Sequence, residues 1–427
     1  MRAPRRFRFA QRVVFGLVLR IASAGLLGAG LIGGWACSGD RASAWTGTVE
    51  TQPDGARLVR NRGDGLWTAD REASWVLEEE LRIGTVEGTG PDAFGNVGGV
   101  FVDGPGRIHV VESQAREIRV FDVNGAPIRI LGGEGEGPGE FRFIAGMAWD
   151  NTGTMWVVDF LNGRYTRYDT VGVVVGTARR ESRFMRIGPF RGGITPEGVL
   201  YDTDLHVPAG SEHLPPLMLA AGMGGSRLIL RAMLSLDGAP VSDTVELPVT
   251  STEPVTFRTE GAMIGSPYNT SVHWTFDPRG SLWVGQSDAY RIEQHTLDGV
   301  RRLVIDRDYS PVPVTAAEVD AWVQSDGAAR FRERGGRIDA SQLQDVKPIF
   351  DGFVVDDTGY LWVRLGSRAD AVRFDVFDPE GRYLGVVEGV TGMVRLAPVI
   401  RGDRFYAVLR DSLDVPYVVR YRIRGRD

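Results

Sequence analysis

The sequence predicts an all-β fold, a six-bladed β-propeller that is closed by an N-terminal strand and carries one short helical insertion. Three observations support this prediction. A short phrase recurs six times, most copies are followed by a strand–turn–strand pattern, and an unpaired strand pattern lies upstream of the first copy. Repetition at this spacing is typical of repeat architectures, so it bears on the whole chain rather than on one segment.

The recurring phrase is an acidic or polar turn residue, two residues, glycine, one residue, an aliphatic residue, an aromatic residue and usually valine. Consecutive copies begin 47, 45, 82, 79 and 45 residues apart, so two blocks are much longer than the others. An Asx side chain and a glycine favour a tight turn, and the alternation after them favours a half-buried strand. The copies are DGPGRIHV from Asp103, DNTGTMWV from Asp150, TPEGVLYD from Thr195, DPRGSLWV from Asp277, DDTGYLWV from Asp356 and RGDRFYAV from Arg401.

Most copies are followed by a second strand, a polar turn and a return strand, as in IRVFDVNGAPIRIL from Ile118. Together with the strand before the first turn, each block then holds four antiparallel strands. Four strands in roughly 45 residues are typical of one propeller blade. Six copies therefore predict six blades.

Closure of the ring is also predicted. The last block ends after YVVRYRIRG from Tyr417, which supplies only a third strand. The segment WVLEEELRIGTV, residues 75–86, can supply the fourth strand and cover both open edges. The predicted domains are a signal or anchor segment (1–36), a polar tether (37–74) and the propeller (75–427). Within the tether, ARLVRN from Ala56 is a candidate edge strand.

Residues 94–175 resemble the six-bladed propellers of the NHL type. The resemblance rests on FGNVGGVFVDGPGRIHVVESQAREIRVFDVNG, the linker GEGEGPGEF at residues 133–141, and WDNTGTMWVVDFLNGRYTRYD. Families that share such a ring include scaffolds, metal-dependent lactonases and lyases. The resemblance thus implies the fold and does not by itself select a function.

The N-terminus has the composition of a targeting segment. Residues 1–36 contain six arginines, no acidic residue and an apolar stretch broken by Arg20. Cys37 follows directly, is the only cysteine, and resembles the acylated residue of bacterial lipoproteins. An uncleaved anchor helix and cleavage after Ala44 are the alternatives. All three predict an exported protein on the periplasmic side of the cell envelope, and the lipoprotein and the uncleaved helix predict membrane anchoring.

Charge and cysteine content limit the partners. Beyond residue 36 the chain has 43 basic and 55 acidic residues, which argues against a nucleic-acid surface. A single cysteine also excludes an internal disulfide. We therefore expect a monomer whose partner is a protein, a glycan or a small ligand, and which reaches the membrane through its N-terminal anchor.

Candidate metal ligands follow the aromatic position of the phrase by three residues. Carboxylates and an amide at this place in adjacent blades could surround a divalent cation such as calcium near the ring axis. The alternative is that each acid caps the turn into the next strand. The four candidates are Glu112, Asp159, Asp204 and Gln286, and His273, in SVHWTFD, is the best histidine candidate. The alternative to a metal-binding role is that His273 is a buried histidine, hydrogen-bonded within the fold.

The two long blocks place extra residues on loops, where binding sites are often found. The first insertion covers about residues 202–238 and is compatible with a longer hairpin; the second covers about 306–345. Thr315 and Glu318 form a capping-box pattern, which predicts a helix beginning at Ala316 with Val319 and Trp322 on one face. We expect this helix either to plug one end of the ring or to act as a lid over a pocket.

Two functions from different classes are compatible with these patterns. The first is a binding or interaction module. The second is a metal-dependent hydrolase or lyase similar to the lactonase-type propellers, in which Glu112, Asp159, Asp204 and His273 would be ligands or bases. No ligand set of those enzymes matches this sequence residue by residue, and this favours the binding module.

Overall fold

The computed structural model describes residues 45–68, 74–182, 190, 192–213, 227–234, 244–246, 254–365 and 372–426. The predicted signal segment and Cys37 lie outside the described residues. Within the described part of the chain, no helix is long and apolar enough to cross a membrane.

Six consecutive sheets, each built around four antiparallel strands, confirm the predicted six-bladed β-propeller. Three strands precede the first blade: β1 (Thr48–Thr51), β2 (Arg57–Asn61) and β3 (Val76–Ile83). Blade one contains β4 (Val97–Val102), β5 (Ile108–Glu112), β6 (Glu117–Phe121) and β7 (Pro127–Gly132). Blade two contains β8 (Ile144–Trp149), β9 (Met155–Asp159), β10 (Arg164–Tyr168) and β11 (Val174–Arg179).

The third blade contains longer strands and is followed by a separate hairpin. Its strands are β12 (Gly193–Ile194), β13 (Leu200–His206), β14 (Arg227–Leu234) and β15 (Thr244–Glu246), and the hairpin is β16 (Thr256–Arg258) with β17 (Met263–Gly265). β13 pairs with β14, as expected if the first insertion contains a longer hairpin. Residues 214–226 and 235–243 of this region lie outside the described residues.

The last three blades complete the ring. Blade four contains β18 (Val272–Phe276), β19 (Leu282–Gln286), β20 (Arg291–His295) and β21 (Arg301–Arg307). Blade five contains β22 (Phe350–Val355), β23 (Leu361–Leu365), β24 (Arg373–Phe377) and β25 (Tyr383–Glu388). Blade six contains β26 (Val399–Arg401), β27 (Arg404–Arg410) and β28 (Pro416–Arg424), and its fourth strand is β3.

The ring closes as the sequence predicts. β3 pairs antiparallel with β28, with Leu81 opposite Arg420 and Val76 opposite Arg424. β3, which comes from the beginning of the described chain, thus forms the outer edge of blade six. The two interior strands of that blade, β27 and β28, are each paired on both sides.

The repeated phrase forms the turn between the first and second strands of each blade. The aspartate Oδ1 accepts backbone N–H groups two and four residues later, as in Asp150 with Thr152 and Thr154. Its Oδ2 accepts the indole N–H of the tryptophan six residues later. These bonds are Trp156 to Asp150 (2.9 Å), Trp283 to Asp277 (3.0 Å) and Trp362 to Asp356 (3.0 Å).

His109 occupies the aromatic position in blade one and makes the equivalent contact. Its Nε2 lies 3.1 Å from Oδ2 of Asp103, and its ring packs edge-on against Trp149. Its side chain is buried. The aromatic position of the phrase therefore combines packing between blades with a polar bond to the turn.

The segment 45–68, which we call the N-terminal strap, differs from the expected polar tether. β2 pairs in parallel with β21 and β1 pairs with β2, so blade four becomes six-stranded. The physical reason is burial, because Leu58 and Val59 are 2% and 0% exposed. The candidate edge strand at Ala56 corresponds to β2. Trp67 then packs against Trp75 in the core between blades five and six.

The second insertion contains two short helices, α1 (Ala316–Val323) and α2 (Asp326–Glu333). The predicted capping box at Thr315 and Glu318 is confirmed. Ser325 caps the second helix, which begins at Asp326. The helices pack against the β16–β17 hairpin around Phe257, Phe331 and Leu343. Together with this hairpin they form a small apolar core of their own.

Candidate functional site

The ring has two faces that are defined by its connections. One face, the turn face, carries the repeated turns between first and second strands. The other, the insertion face, carries the loops from each blade to the next, including the β16–β17 hairpin and the two helices. The ends of the second strands, where the predicted candidates Glu112, Asp159 and Gln286 lie, are also on the insertion face.

Glu112 binds backbone groups of the chain leading into blade one. Its Oε1 accepts the N–H groups of Asn96 and Gln114, both at 3.0 Å, and its Oε2 accepts that of Gly95 at 3.3 Å. The side chain is 2% exposed. All these donors are main-chain groups, so the arrangement matches the capping alternative.

Asp159 makes equivalent contacts in blade two. Its Oδ1 accepts the backbone N–H of Phe143 at 3.1 Å, and its Oδ2 accepts Nδ2 of Asn162 at 2.6 Å. The backbone N–H of Arg142 lies 3.4 Å from both carboxylate oxygens. The residue is fully buried. The carboxylate thereby fixes the loop between blades one and two.

Asp204 and Gln286 have different surroundings. Asp204 accepts the backbone N–H of Leu205 at 2.8 Å, and its Oδ2 lies 3.1 Å from Nη1 of Arg231 on the paired strand. Gln286 donates to Asp288 at 2.8 Å near the surface. Both side chains therefore have polar protein groups as partners.

The predicted cation site requires these oxygens to converge. Among the described residues, no three His, Cys, Asp or Glu side chains come together as a metal site would require. The carboxylates of Glu112 and Asp159 are oriented by backbone donors, which leaves them poorly suited to bind calcium. In this arrangement the side-chain oxygens of Glu112, Asp159, Asp204 and Gln286 do not form a site that fits a divalent cation.

His273 lies apart from these acids, in a cavity of about 850 Å³ on the insertion face. The cavity lies at blades four and five and reaches the loop that leads from blade five to blade six. Its walls come from the first strands of blades four and five, the loop from blade five to blade six, and the helical insertion. The His273 ring lies 5.5 Å from that of Phe350. We call this space the insertion-face cavity. Of the five candidate ligands predicted from the sequence, only His273 lines it.

A charged cluster lies at one end of the cavity. Asp351 on β22 is approached by two arginines: Nε of Arg364 is 3.3 Å from its Oδ1, and Nε of Arg395 is 3.9 Å from its Oδ2. Burial raises the pKa of Asp351 against the opposing effect of both arginines. Burial also lowers the pKa of Arg364. Both members of the closer pair are thus incompletely solvated.

A second ion pair borders the cavity where the helical insertion begins. Nζ of Lys347, the only lysine, lies 2.5 Å from Oε1 of Glu318, the capping-box residue of α1. This hydrogen bond, with those from Thr315, lowers the pKa of Glu318 to about 2. The pair ties the start of α1 to the strand that enters blade five. The insertion therefore forms a fixed wall of the cavity.

Sequence reasoning missed Asp351, Arg364 and Arg395. None belongs to the repeated phrase, and they come from a first strand, a second strand and an inter-blade loop. Asp351 and Arg364 lie on paired strands of blade five, whereas the approach of Arg395 depends on the path of the loop that follows the blade. Charged residues at the strand ends of blade five were the signal available in the sequence.

The turn face has its own opening. A cavity of about 850 Å³ is lined by the ends of the first strands of all six blades, including Val102, Ile194 and Val355. Arg401 crosses its edge and donates to the carbonyl oxygens of Val102 and Asp103. Its walls are more apolar than those of the insertion-face cavity.

Comparison with known proteins agrees with the fold. A model of the DUF5128 family, described as a 6-bladed beta-propeller, matches residues 93–181, which span blades one and two. No curated protein matches the chain.

Solved structures with a similar arrangement have low sequence identity. They include a candidate exported protein from Bacteroides fragilis, with 10% identity, 86% of this chain and 99% of that chain covered, and a TM-score of 0.46. A member of the DUF4221 family from Bacteroides vulgatus has 9% identity, 83% and 99% coverage, and a TM-score of 0.49. A gluconolactonase from Xanthomonas campestris has 15% identity, 74% and 82% coverage, and a TM-score of 0.37. These similarities carry no argument about function.

Proposed function

We propose that the chain is an exported, membrane-anchored propeller of the NHL type that acts as a binding module, with its ligand site in the insertion-face cavity. The observation that carries the proposal is the construction of that cavity. Its volume lies in the range of small-molecule sites, and charged groups from blade five, from the loop that follows it and from the helical insertion before it line the cavity.

The walls of this cavity are held in place before any ligand binds. The Lys347–Glu318 pair fixes the helical insertion. Asn269 fixes the neighbouring loop, because its Oδ1 accepts the backbone N–H of Val255 at 2.9 Å and its Nδ2 donates to the carbonyl of Val255 at 3.0 Å. A preformed site avoids part of the entropy cost of ordering loops on binding. This rigidity supports recognition of a ligand.

Export and anchoring are supported by the N-terminal sequence. The arginine-rich apolar segment and Cys37 together resemble a lipoprotein signal. Trp45, the first residue of the strap, follows Cys37 by eight positions. Incorporation of a labelled fatty acid into the wild-type chain, lost in Cys37→Ser, would test this part. Equal labelling of both would contradict it.

No observation among the described residues favours the metal-dependent hydrolase or lyase. Glu112 and Asp159 accept hydrogen bonds from backbone groups, and His273 lies apart from them in the insertion-face cavity. The binding module is therefore the function that the geometry supports best.

The proposal is tested by blocking the cavity. Ser271 is exposed and lines it, so Ser271→Trp would fill space without removing a side-chain contact. Ser412→Trp, on an exposed turn of blade six, is the matched control. A ligand-observed NMR screen of small polar fragments with the full-length chain in detergent should give binders that Ser271→Trp loses and Ser412→Trp retains. If Ser271→Trp removes none of the binders, the cavity is not the site.

A further inference from the structure

We infer that the ligand of the insertion-face cavity is a small organic carboxylate, bound by Arg364 and Arg395. This inference rests on the proposed function and assigns the chemical class of the ligand. It is argued from the charge balance, the available donors and the apolar wall of the cavity.

The charge balance at the arginine end is positive. Two guanidinium groups share the single carboxylate of Asp351, at 3.3 and 3.9 Å. At the insertion wall, Lys347 and Glu318 neutralise one another. One positive charge is therefore left over in a cavity of a chain whose formal net charge is −6. A local positive excess within an acidic protein attracts an anion.

The donors of these arginines are incompletely used. Arg364 donates through Nη1 to the carbonyl of Val394 at 3.0 Å and faces Asp351 through Nε. No described residue accepts a hydrogen bond from its Nη2. The side chain of Arg395 is 85% exposed and contacts Asp351 only at 3.9 Å. A guanidinium presents a planar set of N–H donors that matches a carboxylate.

Solvation provides a second reason for an anion. The side chain of Arg364 is only 11% exposed, and burial lowers its pKa. Its close partners are one carbonyl oxygen and one carboxylate that it shares with Arg395, so part of its desolvation cost is left uncompensated. An incoming carboxylate would offset that cost directly, whereas a neutral ligand would not.

The remaining wall indicates that the anion has an organic body. Leu365 and Val390 are half-buried and present apolar surface to the cavity, and Phe350 and Met393, which are 0% and 9% exposed, complete this lining. Inorganic phosphate would leave this apolar surface and most of the 850 Å³ volume without contacts. A carboxylate on an aromatic or aliphatic body would use both the charged end and the apolar wall.

The test uses 4-fluorobenzoate as the probe, detected by ¹⁹F NMR with the full-length chain in detergent. Saturable binding is expected, with an affinity at least about fivefold higher than that of neutral 4-fluorobenzamide, because charge-assisted bonds are roughly twice as strong as neutral ones. Arg395→Gln and Arg364→Gln should each weaken binding by about tenfold. Arg302→Gln, which replaces an exposed arginine on β21 of blade four, is the control and should bind like wild type.

Several results would overturn the inference. One is equal binding of the benzoate and the benzamide, and another is binding to Arg395→Gln as tight as to Arg302→Gln. Because Arg395 is largely exposed, its variant should fold even if Arg364→Gln does not. Displacement by inorganic phosphate as effective as by unlabelled benzoate would contradict an organic ligand. Ser271→Trp could remove neutral binders while the wild-type cavity binds carboxylates no more tightly than neutral ligands. In that case the carboxylate inference fails and the proposed binding module stands.

Discussion

Oδ1 of Asn61 accepts a hydrogen bond from the backbone N–H of Tyr383, which is 2.7 Å away and 322 residues distant in sequence. The same oxygen accepts the indole N–H of Trp45 at 2.9 Å, and Nδ2 donates to the carbonyl of Gly381 at 3.0 Å. Asn61 is 1% exposed. One buried amide thus fastens the N-terminal strap to the junction of blades four and five.

Replacing Asn61 with leucine should destabilise the ring by about 3 kcal/mol. The substitution keeps a similar volume but leaves the N–H of Tyr383 and the carbonyl of Gly381 buried without their partner, and each such group costs about 1–3 kcal/mol. Urea unfolding followed by tryptophan fluorescence would measure the change. The exposed turn residue Asn124 is the control, because Asn124→Ala should change stability by less than about 0.5 kcal/mol. Equal effects of the two variants would show that the strap does not stabilise the ring.

The turn bond of the repeated phrase should also be measurable. Trp156→Phe keeps an aromatic ring but removes the N–H that donates to the buried Oδ2 of Asp150. We expect a loss of about 1–3 kcal/mol, from the unpaired carboxylate oxygen and the smaller ring. Trp322→Phe in α1, whose ring packs against Phe257, should cost less than about 1 kcal/mol. If both variants lose the same stability, packing alone explains the aromatic position.

Asp159 provides the test of the calcium hypothesis. Its carboxylate binds backbone and amide donors between blades one and two, so Asp159→Ala should lower the melting temperature equally in calcium and in EDTA. The wild-type melting temperature should not depend on calcium. Differential scanning calorimetry of both proteins in both buffers would measure this. Calcium-dependent stabilisation of the wild type that disappears in Asp159→Ala would contradict the capping role.

Glu293 should make stability depend on acid pH. The hydrogen bond with His295, supported by Arg291 and Arg301, lowers its pKa from 4.5 to about 2. A lowered folded-state pKa means that the ionised form stabilises the fold above pH 4.5. This contribution is lost as the pH falls toward 2.

Between pH 5 and pH 3, the wild type should therefore lose about 1 kcal/mol more stability than Glu293→Gln, after allowance for solvent screening. Urea unfolding at several pH values would measure the difference. Glu197→Gln, at an exposed glutamate, should follow the wild-type profile. Parallel profiles for wild type and Glu293→Gln would contradict this explanation.

Local chemistry explains why much of the fold was predictable. The turn at Asp356 and Trp362 depends on residues only six positions apart, so the sequence pattern contains the whole interaction. The capping box at Thr315 is equally local and predicted the start of α1. Closure by β3 was predictable because blade six lacked one strand and a suitable strand was available upstream.

Other features depend on contacts that no local pattern contains. β2 was recognisable as a strand, but its parallel pairing with β21 depends on the position of blade four. The cluster of Asp351, Arg364 and Arg395 similarly requires the loop from blade five to blade six to pass beside the first two strands of blade five. For the same reason, the predicted acids could not be assigned as caps or as metal ligands from spacing alone.

Closure of the ring by β3 is the central claim, and a double-cysteine variant tests it most directly. Val76 and Arg424 face each other across β3 and β28, and both are exposed. In a Cys37→Ser background, Val76→Cys with Arg424→Cys should form an intramolecular disulfide almost completely under mild oxidation, measured by thiol titration and non-reducing electrophoresis. The control pairs Val76→Cys with Leu413→Cys, also exposed but not paired with it. A disulfide in the first variant alone is the predicted result; no disulfide, or equal formation in both, would contradict closure by this strand.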